Sequence, residues 1–458
     1  MTILSFSSRA MAGDPAVTSA TGAVIPPPGT TETLSLDELS TLTLADLVTT
    51  RALKAEREKF LGRMKREKIE SVLPAGLTSA TLDKWDDALW VIKLLYLRNE
   101  MTSQALAASL AAYPQMDEAL QRVTLETAYA VYGREFTTDV LRIAEITTSP
   151  KHFAMCAHYA NRALDNADCR TTLTDLMKLR FPDWSTTPIL VMLEHDLRVD
   201  AATEIKSRPA MADLFAHKLP GDTPVIFSLQ RRNREYPGMA LVRLPDGKFV
   251  RRPDGSIFAV SHLAFSQSNL PGYITNGNTP EGLFTIVGLD RTKNLFIGKT
   301  PFFATEVPFE APLDRYFHNA TLKGQVWSLE WYLGAWPVSW RDYFPVREAF
   351  YAGQAGRSEM LSHGTTIDPA PYRAKPYYPN TPSIGCLTAK EIWSPEDGHA
   401  LVSDQLSLIK AFISSGMTYG YLIVVDLDSS RRPVVLEDVL MDLLAAEGRP
   451  HETKDATK

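Results

Sequence analysis

Cys386 lies in Ser383-Ile384-Gly385-Cys386-Leu387, and His363-Gly364-Thr365 stands 23 residues upstream of it. A thiol that follows a glycine on a tight turn presents its sulfur and the neighbouring backbone N–H groups to one carbonyl oxygen. A free thiol, with a pKa near about 8.5, is only a few per cent thiolate at neutral pH, so it needs a neighbour that takes its proton. Cys386 as nucleophile, His363 as base and the N–H groups of Ile384, Gly385 and Cys386 as oxyanion donors are the parts of acyl transfer through a thioester. The Ser383 hydroxyl either orients His363 or a substrate, or closes a local turn onto nearby backbone. His399, on a segment that reads as the following helix, is the rival base. His262 and His318 receive no role.

Upstream, Thr279-Pro280-Glu281-Gly282-Leu283-Phe284 adds a turn followed by a strand-like run. With the His363 and Cys386 segments it resembles, in order, three elements of the YkuD-like L,D-transpeptidases: Thr-Pro-x-Gly-x-Phe, His-(Gly/Ser)-x and (Ser/Thr)-His-Gly-Cys. The resemblance spans roughly residues 222–428. Ile384 stands where the family has its second His, and Thr388 where it has Arg or Asn. The resemblance implies a β-rich catalytic domain in which Cys386 attacks a peptidoglycan stem peptide at the amide after its diamino acid, releasing the terminal D-residue. An amine from a second stem then resolves the thioester, or water does so in an L,D-carboxypeptidase. It further implies that the backbone carbonyl at Gly364 orients His363, that neither metal nor organic cofactor takes part, and that the protein works in the periplasm or cell envelope. The alternative expectation, carried by Ile384 and Thr388, is a catalytically degenerate peptidoglycan-binding or scaffold protein.

Substrate contacts are expected from the residues between and before these motifs. Arg373, after Tyr372 in the loop between His363 and Cys386, or Lys375 can supply the carboxylate contact that Thr388 lacks. Trp327, Trp331, Trp336 and Trp340 recur at spacings of 4, 5 and 4. On a helix they share one face, and they either cap the cleft, with Trp336 and Trp340 on the ligand, or form an aromatic core.

The elements that must position these residues fall in the second half of the chain. Strand-like runs occur at 225–229, 241–243, 257–264, 283–288, 294–298, 302–307 and 421–426, with turn dipeptides at Asp246-Gly247 and Asp254-Gly255; residues 396–415 read as a helix. Before Lys218-Leu219-Pro220-Gly221 the periodicity is helical, broken at Tyr113-Pro114, Gly133, Ser149-Pro150 and Phe181-Pro182. The expected fold class is therefore α+β and multidomain: a flexible segment over 1–36, a repeat-like or bundled helical domain over 37–217, the catalytic domain over 218–430, and a tail over 431–458. A boundary of this kind predicts halves that fold separately, with the helical one available to a protein partner.

Composition narrows the function classes. With 458 residues, 45% hydrophobic and 22% charged, the chain has the material for two or three cores. A net charge of −6 gives no electrostatic reason for nucleic acid, and no apolar run reaches the length of a spanning helix. Three cysteines cannot all pair; Cys156 and Cys169 read as buried thiols on helices, and His152 and His158 as structural rather than as metal ligands. Ala10-Met11-Ala12 resembles a cleavage site, but the apolar stretch before it is shorter than a signal-peptide core of about 7–15 residues.

Overall fold

The computed structural model describes residues 31–448 apart from Ser79, so residues 1–30 of the expected flexible segment and 449–458 of the expected tail lie outside the described residues. The architecture is α+β: a helical region precedes a mainly antiparallel sheet that closes on itself. Its strands are β1 (Glu32–Thr33), β2 (Val225–Arg231), β3 (Gly238–Arg243), β4 (Val260–Leu263), β5 (Gly282–Arg291), β6 (Phe302–Glu306), β7 (Ser362–His363), β8 (Leu387–Ala389) and β11 (Gly420–Asp428), while β9 (Glu391–Trp393) and β10 (Ala400–Ser403) form a separate hairpin. From β5 the order runs β11, β2, β3, β4, β8, β7, β6 and back to β5, with β1 added on β5. Two pairs are parallel, β2 with β11 and β7 with β8. The near-continuous apolar runs of β2 and β11 suit a pair buried on both faces.

Alternate residues of these strands supply two cores. Val225, Phe227 and Leu229 join the aromatic segment and the helix Leu440–Gly448, whereas Ile226, Phe284, Phe303, Leu422 and Val424 pack on the helix Asp404–Ile413. Residues 294–298 are a turn rather than the expected strand. The Asn294 side chain accepts the Phe296 N–H at 2.8 Å and its carbonyl the Gly298 N–H at 2.9 Å, which bends the chain out of the sheet. The expected helix over 396–415 begins only at Asp404, capped by Ser403, because Ala400–Ser403 pairs with β9.

The helical region stacks helices such as Leu82–Leu95, Glu118–Val131, Pro150–Leu164 and Pro188–Arg198. Side-chain caps define several starts: Asn99 before Glu100–Ala112, Asp117 before Glu118–Val131, Ser149 before Pro150–Leu164 and Asn166 before Ala167–Arg180 each accept an N–H of the first turn. Cys156 and Cys169 are free and buried, and His152 bonds Tyr113 at 2.7 Å.

The expected boundaries shift at three places. Residues 32–36 are not tether: β1 pairs with β5, and Leu34 and Leu39 enter the core of the sheet. The helix Met211–Ala216 belongs to the sheet as well, through Leu214 and Phe215. Residues 431–448 are docked rather than a tail, since Leu443 is buried, Glu447 accepts the Phe249 N–H, and Asp438 pairs with the buried Arg231. Nor do the halves have separate cores. Leu270, Tyr273, Ile274 and Ala352 of the second half lie in the helical core. Among the described residues no helix is long and apolar enough to cross a membrane.

Candidate active site

Parallel pairing of β7 with β8 brings the two motifs together: Ser362 lies opposite Leu387 and His363 opposite Thr388, so the turn ending in Cys386 opens at the edge of the His363 strand. The Leu387 N–H donates to the Leu361 carbonyl at 2.8 Å. On its other side the turn is stitched to the segment before Thr279. Gln267 N–H donates to the Ser383 carbonyl at 2.8 Å, and the Thr279 hydroxyl donates to the Gly385 carbonyl at 2.9 Å.

Gly385 has φ +135°, a conformation that L side chains rarely adopt, and a Cβ there would lie 2.5 Å from Arg357 Nη2. Glycine is required on both counts. Its N–H donates to Ser383 Oγ at 3.0 Å while that hydroxyl donates to the Cys386 carbonyl at 2.7 Å. Ser383 therefore closes the turn and does not reach His363. The same bond withdraws the Gly385 N–H from the expected oxyanion set. The N–H groups of Ile384 and Cys386 have no hydrogen-bond partner among the described residues and remain as the donors. Ile384 keeps 38% of its surface exposed, which marks where the turn meets solvent.

The Cys386 sulfur packs among Ile297, Phe302 and Leu361. It accepts the Leu361 N–H at 3.4 Å, and its S–H points to the Glu359 carbonyl at 3.6 Å. Burial pushes the thiol up to about 11, opposed by the Leu361 N–H and the Arg357 charge. His363 Nδ1–H donates to the Gly364 carbonyl, which leaves Nε2 as the basic nitrogen. Burial brings His363 down to about 4, so the ring is neutral at neutral pH. The resting pair is thus a thiol and an imidazole, without a bond between them.

The His363 loop is held from below by Glu391. Its carboxyl accepts the Thr365 N–H at 2.8 Å, the Thr300 hydroxyl at 2.6 Å and the Ser403 hydroxyl at 2.7 Å. A Cβ on Gly364 would stand 2.3 Å from that carboxyl carbon, so a larger residue there would push the carboxyl off its three donors. Behind β7, His262 is wholly buried, bonded to Ser228 at 2.9 Å and Ser362 at 3.1 Å, and burial takes it to about 3. It ties the strand in place and does not line a cleft. His318 bonds Thr285 and the Gly420 carbonyl. His399, the rival base, is exposed on the β9–β10 hairpin and bridged to Val48.

The expected substrate contacts fare unevenly. Trp336 and Trp340 are 1% and 0% exposed, stacked 6.2 Å apart in the core beneath the sheet, because the segment breaks after the short helix Leu329–Gly334 and turns inward. Both rings belong to the core. Tyr372 is also buried, its hydroxyl donating to the Leu94 carbonyl of the helical region at 3.0 Å. Arg373 beside it is exposed. Thr388 donates to the Thr381 carbonyl at 2.8 Å and offers no charge. Reading of the sequence passes over Glu391 and Arg357. Neither has a motif; Gly364 and Gly385, each next to a catalytic candidate with no room for a Cβ, are the signals that point to them.

No cluster of His, Cys, Asp and Glu among the described residues is arranged to hold a metal ion. Comparison with family models, with curated proteins and with solved structures returns no match to this chain.

Proposed function

We propose that this protein is a cysteine acyltransferase of the L,D-transpeptidase type, acting on peptidoglycan stem peptides in the cell envelope. The observation that carries the reading is the His363 Nδ1–H bond to Gly364, which fixes the tautomer with a free Nε2 on the strand beside Cys386. As the substrate amide arrives, the Cys386 proton passes to His363 Nε2 and the sulfur adds to the carbonyl carbon. The oxyanion is met by the Ile384 and Cys386 N–H groups; loss of one such donor typically costs about 10²–10³ in rate. The C–N bond then breaks, His363 returns the proton to the leaving amine, and a thioester remains. An incoming amine or water attacks it by the same steps in reverse, giving a cross-link or a shortened stem. Arg373 is the exposed cation available in the intervening loop for a stem carboxylate. Incubation of the full chain with purified muropeptides tests this: released D-amino acid with cross-linked or trimmed stems is expected, and unchanged muropeptides count against it.

A second reading, a degenerate site that binds stems without turnover, is favoured by the thiol's bonds to Glu359 and Leu361 rather than to His363. Saturable binding of muropeptides without any product distinguishes it.

A further inference from the structure

Arg357 is buried directly behind the Cys386 turn. Its Nη1 donates to the carbonyls of Gly272 and of Asn278, the latter at 2.9 Å, and its Nη2 to that of Gly277 at 3.3 Å. All three acceptors are neutral, and none of the ion pairs among the described residues includes it. A buried cation without an anion is costly, and burial takes this guanidinium down to about 10. The acids that act on it, Glu348 and Glu310, do so at longer range than an ion pair. Backbone carbonyls are satisfied as well by a neutral donor, so the hydrogen bonds account for the fork of donors but not for the charge.

At rest the Cys386 sulfur is a neutral thiol, and it becomes an anion beside this guanidinium only when its proton leaves. Arg357 Nη2 is 2.5 Å from the position of a Cβ on Gly385, the residue before Cys386, and its charge favours the thiolate while Glu359 opposes it. From the facing strand comes only the neutral His363. The carbonyls that hold the guanidinium belong to a loop planted in the helical core by Leu270, Tyr273 and Ile274, and Asn276 of that loop donates to the buried Glu126 at 2.9 Å. We propose that Arg357 is a positioned counter-ion of the Cys386 thiolate, held from the helical side, which stabilises the charge the sulfur gains when its proton leaves. This rests on Cys386 being the nucleophile.

The test is the pH dependence of iodoacetamide alkylation at Cys386, followed by peptide mapping so that Cys156 and Cys169 are scored apart, in the full chain and in Arg357→Gln and Arg357→Lys, with thermal unfolding measured alongside. The Gln variant keeps donors and loses the charge; it is expected to alkylate at least about ten-fold more slowly at pH 8, with its profile displaced to higher pH by about a unit. The Lys variant is expected within about three-fold of the native rate, since the point charge is retained. An unchanged profile in the Gln variant, or an equal loss in both, overturns the proposal. If Arg357→Gln does not fold, Cys386→Asp and Cys386→Asn in the otherwise native chain replace it: Asp melting no lower than Asn at pH 8 supports a waiting cation, and Asp melting several degrees lower overturns it. An unshifted profile with acyl adducts still forming on the native chain removes only the role of Arg357. A shifted profile with no adduct removes only the acyl-transfer reading.

Discussion

His363 commits its Nδ1 proton to the Gly364 carbonyl and keeps Nε2 free, whereas His399 sits exposed on a hairpin tip. His363→Ala is therefore expected to slow acylation of Cys386 by about 10²–10⁴, the usual size of general-base catalysis, and His399→Ala to leave it unchanged. Time-resolved intact mass measures both; an equal loss in the two variants reassigns the base. Trp336 and Trp340 belong to stability. Each Trp→Ala change removes a fully buried ring and is expected to cost about 3–5 kcal/mol, lowering the melting temperature before it touches turnover. A variant with native melting and weakened substrate use would contradict that placement. At this scale the sequence exposes Cys386 and His363 because a thiol after a glycine and a His before one are local patterns. Arg357 has no such pattern, since its acceptors lie 79–85 residues away and are backbone atoms that every residue carries.

The strand pair β7–β8 and the loop between β7 and Glu391 set the geometry of the site. Glu391 is pinned by three donors, yet burial pushes its carboxyl up to about 7. A folded-state pKa above the unfolded value of about 4.3 means that its contribution to stability is present at low pH and is lost as pH rises through about 7. Glu348 and Glu310, also raised to about 7 by burial, act in the same direction. His262 and His363, brought down to about 3 and 4 by burial, act in the opposite direction below about pH 6.5, so the readout is a difference: the melting temperature of Glu391→Gln relative to the native chain is expected to rise as pH goes from about 5 to about 7. Thermal unfolding across this range checks it, and an unchanged slope in the variant refutes the assignment. Strands such as 225–229 and 421–426 are legible as long apolar runs. β7 and β8 have only two and three residues, too short for any periodicity, and at 294–298 the apolar content misleads because the Asn294 side chain accepts the Phe296 N–H.

Across the whole molecule the change from helical to strand patterning near Pro220-Gly221 is real, but it does not divide two independent bodies. Leu270, Tyr273 and Ile274 are buried by the helical region, β1 adds to β5, and Lys410 donates to the Leu39 and Ser40 carbonyls. Such long-range contacts leave no mark in local composition, which is why separate folding is the natural expectation from sequence. Residues 218–430 expressed alone are expected to be insoluble or molten, judged by near-UV circular dichroism; a cooperative melt of that fragment would show that the shared core is dispensable. The central claim, that Cys386 forms a thioester, is tested most directly by intact mass of the full chain after incubation with a carbapenem or with muropeptides, followed by peptide mapping. The account predicts a covalent adduct on Cys386 that is absent in Cys386→Ala and slow in His363→Ala. An adduct on another residue, or none on a folded native chain, contradicts it.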